Sequence, residues 1–174
     1  MIVRTENVEI DAHHFEWLVT ARGNLDTRSG VVMVLPRPDN RVLVLTKSFY
    51  PPGIYNLPTG GIHPGETPEQ AFAREVIEET GLHSSPRSVI GRLDQHCTFA
   101  NQSLDFTHYV VLGTQTSDPP HPTADDESIS AYLDATACDL REFADRMRAL
   151  TGTWRGFGRF RAPALDFVAD ALSS

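Results

Sequence analysis

Gly60 to Leu82 reads GGIHPGETPEQAFAREVIEETGL. Within it Glu75, Glu78 and Glu79 stand at i, i+3 and i+4, with no lysine between them. On a helix those positions are neighbours on one face, and like charges so placed repel by a few tenths of a kcal/mol per pair. A hard divalent cation, which prefers oxygen ligands, turns such a cluster from unfavourable to favourable. The flanks predict the helix itself. Thr67, Pro68 and Gln70 supply a cap, a first-turn proline and a T-x-x-Q capping box. Gly81 is placed to end the helix in a left-handed conformation. The spacing therefore predicts a helix from Pro68 to about Thr80. One arc carries the three glutamates, and an adjacent apolar arc carries Ala73, Val76, Ile77 and Thr80 toward the core. Ahead of the helix, Gly60, Gly61 and Gly65 allow tight turns and close approach of backbone to a ligand.

Gly60, Glu66, Arg74, Glu75, Val76, Glu78, Glu79, Gly81 and Leu82 match the Nudix box, GX5EX7REUXEEXGU, at every defined position. At residue frequencies of roughly 5–7% each, a chance match in a chain of this length is on the order of one in a million or less. The stretch thus resembles the Nudix hydrolases. That resemblance implies an α/β (α+β) fold, an α/β/α sandwich with a mixed central sheet, and hydrolysis of a diphosphate linkage in a nucleoside diphosphate joined to another group by metal-activated water. It implies Mg²⁺ or Mn²⁺ as cofactor. The implied metal ligands are Glu75, Glu78 and Glu79, with a backbone carbonyl at Gly60. The implied catalytic set is Glu78, Arg74 as an orienting residue beside Glu66, and a glutamate from a later loop. Glu127 is the favoured later candidate, Asp125 and Asp126 compete with it, and a solvated acidic turn is the bland reading of all three.

Outward from the box, the 174 residues suit one domain, 1–174, with its own core. The net charge of -8 argues against a nucleic-acid backbone or an anionic membrane as main partner. Cys97 and Cys138 lack CxxC spacing and predict free thiols in a reducing, cytoplasmic setting. No signal-peptide pattern and no apolar run of about 20 residues is present. The expected partner is a small nucleotide diphosphate, and a homodimer is common among Nudix proteins.

Upstream, Phe15 to Thr20 reads as a strand. Val31–Leu35 and Arg41–Thr46 read as a hairpin around Pro36–Asn40. Lys47 and Arg41 are candidates for substrate phosphates, against the alternative of strand-end surface charge. Downstream, Ser88–Asp94 and Phe106–Thr114 read as strands, with Gln95–Asp105 as a polar loop over the site. Ile129–Asp134 reads as a short strand. Helices are predicted near Cys138–Leu150 and from about Pro163 onward. Trp154 to Arg161, WRGFGRFR, mixes aromatic and basic residues. It reads as a surface linker anchored by its aromatics, with anionic-substrate or subunit binding as the alternatives. Phe49, Tyr50 and Phe99 are candidates for stacking on a ring, against ordinary packing. The seven histidines form no ligand pair by spacing.

Markers of substrate subgroups are missing. ADP-ribose-preferring Nudix proteins often carry a proline where this chain has His96, and dinucleoside polyphosphate-preferring ones a tyrosine where it has Cys97. Two other readings stay open: a non-catalytic Nudix domain that senses a nucleotide or binds a partner, and an isomerase on the same fold. The complete set of box glutamates weighs against the first, and the lack of a cysteine ahead of the box against the second.

Overall fold

A computed structural model describes residues 1–20 and 28–174, with the Asp126 side chain and that of Thr20 outside the description. In chain order the elements are β1 (Ile2–Glu9), α1 (Ala12–Thr20), β2 (Ser29–Val34), β3 (Pro36–Arg37), β4 (Arg41–Lys47), β5 (Thr59–Gly61), α2 (Pro68–Thr80), β6 (Pro86–Phe99), β7 (Gln102–Gly113), β8 (Ile129–Ala135), α3 (Ala137–Arg148) and α4 (Arg155–Leu172). A five-stranded mixed sheet runs β1-β6-β7-β2-β5, and a three-stranded sheet runs β3-β4-β8.

The apolar run of β2 is explained by burial on both faces. Val32 and Val34 join the core that includes Leu140 and Met147 of α3 and Leu165 and Val168 of α4. Val31 and Met33, with opposite parity, pack with Phe72 and Val76 of α2. Helices therefore cover both sides of the strands, the sandwich expected from the Nudix resemblance. A third cluster joins Leu18 of α1 and Phe160 of α4 to Val8, Cys97 and Phe106.

Five local expectations are corrected. Phe15–Thr20 is helical: Asp11 Oδ1 accepts the His14 N–H at 2.8 Å, an N-terminal cap, and His14 and Leu18 are buried four residues apart. The hairpin pairing of Val31–Leu35 with Arg41–Thr46 does not form as such. β2 pairs with β7 and β5 in one sheet, and only β3 pairs β4 on that side, in the other. Gln95–Asp105 is not a loop but the far half of the β6–β7 ladder, paired out to Phe99 and Gln102. Its polar residues hid this because buried Gln95 is hydrogen-bonded, its amide oxygen accepting from His108 Nδ1 at 2.8 Å and its amide nitrogen donating to the Phe160 carbonyl at 2.8 Å. Trp154–Arg161 is not a surface linker. Helix α4 begins at Arg155, eight residues before Pro163, and buries Phe160, Arg161, Ala164, Leu165 and Val168 on one stripe. Interior glycines cost a helix about 1 kcal/mol each, which is why the sequence pattern conceals it, and this burial outweighs that cost.

The fifth correction bears on the site. Ala73 and Ile77 of α2 face outward, and the buried positions are Ala71, Phe72, Glu75, Val76, Glu79 and Thr80. Two of the three glutamates therefore point into the fold.

Candidate active site

The two ends of α2 behave as its sequence requires. Thr67 and Gln70 form the reciprocal capping box, and Gly81 has φ +62°. The last carbonyls of the helix are then taken up by the loop after β7. The Thr123 hydroxyl donates to Ile77 O at 2.8 Å, the Thr123 N–H to Glu78 O at 3.1 Å, and the His121 N–H to Thr80 O at 2.8 Å. Orphan carbonyls at a helix end need such partners. Meeting that need here carries the chain across the end of α2 and delivers a 3-10 turn, Asp125–Glu127, beside the glutamates. Ser128, at φ 55°, then turns the chain into β8.

Antiparallel pairing of β8 with β4 sets the next contact. The register shifts between Thr46 and Lys47, so Lys47 lies opposite Ile129; such a bulge re-aims a side chain. Lys47 Nζ donates to Glu127 Oε2 at 2.9 Å and lies 3.4 Å from Glu79 Oε1. Arg41, at the opposite end of β4, donates to the Asp134 carbonyl and does not line the cavity described below.

Around Arg74 the contacts are dense. It grips Glu66 through two bonds of 2.9 Å each, donates to Glu75 Oε1 at 2.6 Å and to Gly61 O at 2.8 Å, and lies 3.6 Å from Glu78. The His63 N–H adds a bond of 2.9 Å to Glu66. Hydrogen bonds from Arg74 hold the Glu66 carboxyl down to about 2 despite desolvation, with the His63 N–H assisting. The buried Glu79 carboxylate accepts the Thr59 N–H at 3.0 Å, and its own backbone carbonyl accepts the Tyr132 hydroxyl. Burial pushes Glu79 up to about 8, against the pull of Lys47 and with help from the charges on Glu127 and Glu75. Burial also raises Glu75, against Arg74.

One carboxylate oxygen each from Glu75, Glu78 and Glu127 lies within 4.8 Å of the others. This all-oxygen donor set fits Mg²⁺ or Mn²⁺. Gly60 abuts it, and a Cβ there would stand 2.0 Å from the Glu75 carboxyl carbon, so only glycine leaves that carboxylate its position. Glu79, an expected ligand, stands beside the trio with its oxygens engaged by Lys47 and Thr59. Asp126 lies outside the described side chains. Glu75 and Glu127 of the cluster, with Gly60 and Glu79, line a cavity of about 530 Å³, a size typical of small-molecule sites.

The rest of this cavity's lining was largely missed by sequence reasoning. It includes His14 and Trp17 of α1, Asn56, and Phe157 and Arg161 of α4, besides the anticipated Phe49 and Tyr50. Phe99 is instead packed on Phe15, ring centroids 5.9 Å apart. The one available signal was the aromatic and basic mixture at Trp154–Arg161. Nothing in the local pattern of Asn56 or His14 marks either.

The NUDIX domain model matches residues 26–152. Among curated relatives, the NAD-capped RNA hydrolase NudC of Stutzerimonas stutzeri is 34% identical over 83 residues, 48% of this chain and 26% of that protein. The RNA pyrophosphohydrolase of Zymomonas mobilis is 33% identical over 76 residues, 44% of this chain and 49% of its own length. The chain thus matches half or less of the length of these relatives. Among solved structures, the MutT protein from Methanosarcina mazei Go1 superposes with a TM-score of 0.52 at 19% identity, covering 83% of this chain and 98% of that one. The E. coli dihydroneopterin triphosphate pyrophosphohydrolase gives 0.51 at 20% identity, covering 83% and 96%. At these identities the two structures speak to the fold.

Proposed function

The chain belongs to the NUDIX domain family, and on that premise we propose that it hydrolyses a diphosphate linkage in a nucleoside diphosphate joined to a second group, with Mg²⁺ or Mn²⁺ as cofactor. The observation that carries this reading is the convergence of Glu75, Glu78 and Glu127, of which Glu75 and Glu127 line a nucleotide-sized cavity. Glu75 and Glu78, with the Gly60 backbone and Glu127, would hold the cation. When bound, the cation supplies Lewis acidity toward the diphosphate and offsets its charge.

The remaining work falls to the protein's own side chains. Arg74 and Glu66 form a brace that fixes the Glu75 carboxylate through a 2.6 Å bond, a positioning role. Glu127, oriented by Lys47 at 2.9 Å, is the candidate proton acceptor for the attacking water. Glu79 keeps Lys47 and the Thr59 amide in place behind the trio. Lys47 is engaged by both Glu79 and Glu127, so its first role is within the cluster rather than on the substrate.

A small nucleotide is favoured over an RNA 5′ end by the net charge of -8, since nucleic-acid affinity is dominated by phosphate neutralisation. The names of the two curated relatives make RNA the comparison to run. The test is Mg²⁺-dependent release of products from nucleoside triphosphates, nucleotide sugars, dinucleoside polyphosphates, coenzyme A and a 5′-triphosphorylated RNA oligonucleotide, with Glu78→Gln as control. Turnover of a small nucleotide class, lowered at least 100-fold in Glu78→Gln, supports the proposal. Turnover confined to the RNA would move the substrate class. Tight nucleotide binding without turnover in either metal would instead favour a sensing domain.

A further inference from the structure

β1 stands at the edge of the five-stranded sheet. It pairs with β6 in an unbroken parallel register from Ile2 opposite Gly91 to Glu9 opposite Thr98, and among the described residues no strand pairs with its other side. Free strand edges are commonly blunted by proline, lysine or a bulge. β1, IVRTENVE, carries neither proline nor lysine, and its register with β6 has no shift. Met1, Ile2 and Val3 are left 72%, 57% and 48% exposed there.

One bond fixes the direction of the backbone groups. The Ile10 N–H, next after β1, donates to Thr98 O of β6 at 3.0 Å. Backbone groups point to alternate sides along a strand, so the even-numbered residues bond toward β6. Val3, Thr5, Asn7 and Glu9 therefore turn their N–H and C=O groups outward. A second copy related by a two-fold axis would run antiparallel to the first. Only registers that set odd-numbered residues opposite odd-numbered ones join these outward groups.

Charge then selects among those registers. Centring on Arg4 sets Arg4 against Arg4 of the partner subunit, and centring on Glu6 sets Glu6 against Glu6 of the partner subunit. Like charges directly opposite destabilise a strand pair. Centring on Thr5 instead sets Arg4 opposite Glu6 in both directions, Ile2 opposite Val8, and Thr5 opposite its own copy. Opposite charges and Thr–Thr pairs are favourable cross-strand neighbours. Arg4 is already held in place, its Nη2 donating to Asp170 of α4 at 2.7 Å and its guanidinium 4.9 Å from the Phe167 ring centre. We propose that β1 is a dimerisation edge, on which a second copy of this chain pairs antiparallel about Thr5 and continues the sheet. β1 leads directly into α1, whose His14 and Trp17 line the cavity, so interface and site share one stretch of chain.

The experiment is sedimentation velocity on the full chain as wild type, Arg4→Glu and Glu6→Arg, each alone and the two variants mixed, with circular dichroism to confirm folding. Wild type is expected to dimerise. Each variant alone sets like charges opposite on both sides of Thr5, and its dimer is expected to weaken at least about 10-fold. In the mixture every glutamate faces an arginine, so a one-to-one heterodimer is expected. Hydrogen exchange reads the edge directly: the Val3, Thr5 and Asn7 amides are expected to exchange more slowly in the dimer than after dilution to monomer. A wild type that stays monomeric at its highest soluble concentration overturns the proposal. So do a dimer that neither variant weakens, variants that fail to pair when mixed, and a dimer that leaves those amides unprotected. If Arg4→Glu does not fold once its bond to Asp170 is lost, Glu6→Arg and the exchange measurement decide. None of these readouts needs turnover, so the edge stands or falls apart from the hydrolase reading.

Discussion

Arg74 shows what one side chain can organise. Its guanidinium meets Glu66 in a bidentate pair, Glu75 and the Gly61 carbonyl at once. A lysine is a point charge with no planar fork, and cannot reproduce that geometry. Arg74→Lys is therefore expected to lower Mn²⁺ affinity or kcat by about 10- to 100-fold, the usual cost of losing a residue that orients ligands. Manganese paramagnetic resonance titration and turnover of the wild-type substrate measure the two. Wild-type values for both would remove Arg74 from the site. The two buried glutamates make the same point in reverse. Their spacing announces a cluster, but burial, Thr59 and Lys47 decide that Glu79 is tied back while Glu75 faces Glu78 and Glu127.

At the scale of elements, the end of α2 and the loop after β7 act as one unit. Gly81 adopts φ +62°, and a Cβ at that position would lie 2.4 Å from the His121 carbonyl oxygen. Backbone cannot give way as a side-chain tip can, so Gly81→Ala must displace the loop that carries Glu127. The left-handed conformation alone costs roughly 1–2 kcal/mol for a residue with a Cβ. Gly81→Ala is expected to lose at least that in urea unfolding and to lose turnover beyond what the stability change explains. A variant as active and as stable as wild type would show that the loop does not depend on this contact. α4 illustrates a second element-level effect. Its first turns look like a glycine-rich linker in sequence, and become helix only because Phe160 and Arg161 have α1, β6 and β7 to pack against.

Across the whole molecule, α1 and α4 meet at His14, which packs on Phe160 and lines the cavity. Burial first, and then the Arg161 charge, hold the His14 imidazole down to about 3, against the Asp11 carboxylate. Unfolded, the same group titrates near the ordinary histidine value of about 6.5. Between those values the unfolded chain binds the extra proton, so stability rises with pH and the His14 contribution is complete only above about 6.5. Glu79, pushed up to about 8, acts with the opposite sign over much of the same range, so the His14 contribution is read as a difference: as pH drops from 7 toward 4, the melting temperature of His14→Gln is expected to fall less, or rise more, than that of wild type. Glu66, held to about 2, adds a loss of the same sign at the lower end of the range. A slope identical in His14→Gln and wild type would sink the assignment of His14 as the source.

The sequence by itself determined the box helix, its caps, its carboxylates and the kinship they imply, because those signals are local. A capping box, a left-handed glycine and glutamates three and four apart all act within a turn or two of chain. Most strand positions were legible for the same reason, through apolar runs and alternation. Only the tertiary structure decided which carboxylates converge, since Glu127 reaches Glu75 and Glu78 through a loop that caps α2 and through the register of β8 on β4. It alone turned Phe15–Thr20 and Trp154–Arg161 into helices, where burial against distant elements overrode local preference. It alone assembled Asn56, His14 and Arg161 into one chamber. They are 42 and 105 residues apart in the chain, and long-range packing, which leaves no local pattern, is what joins them.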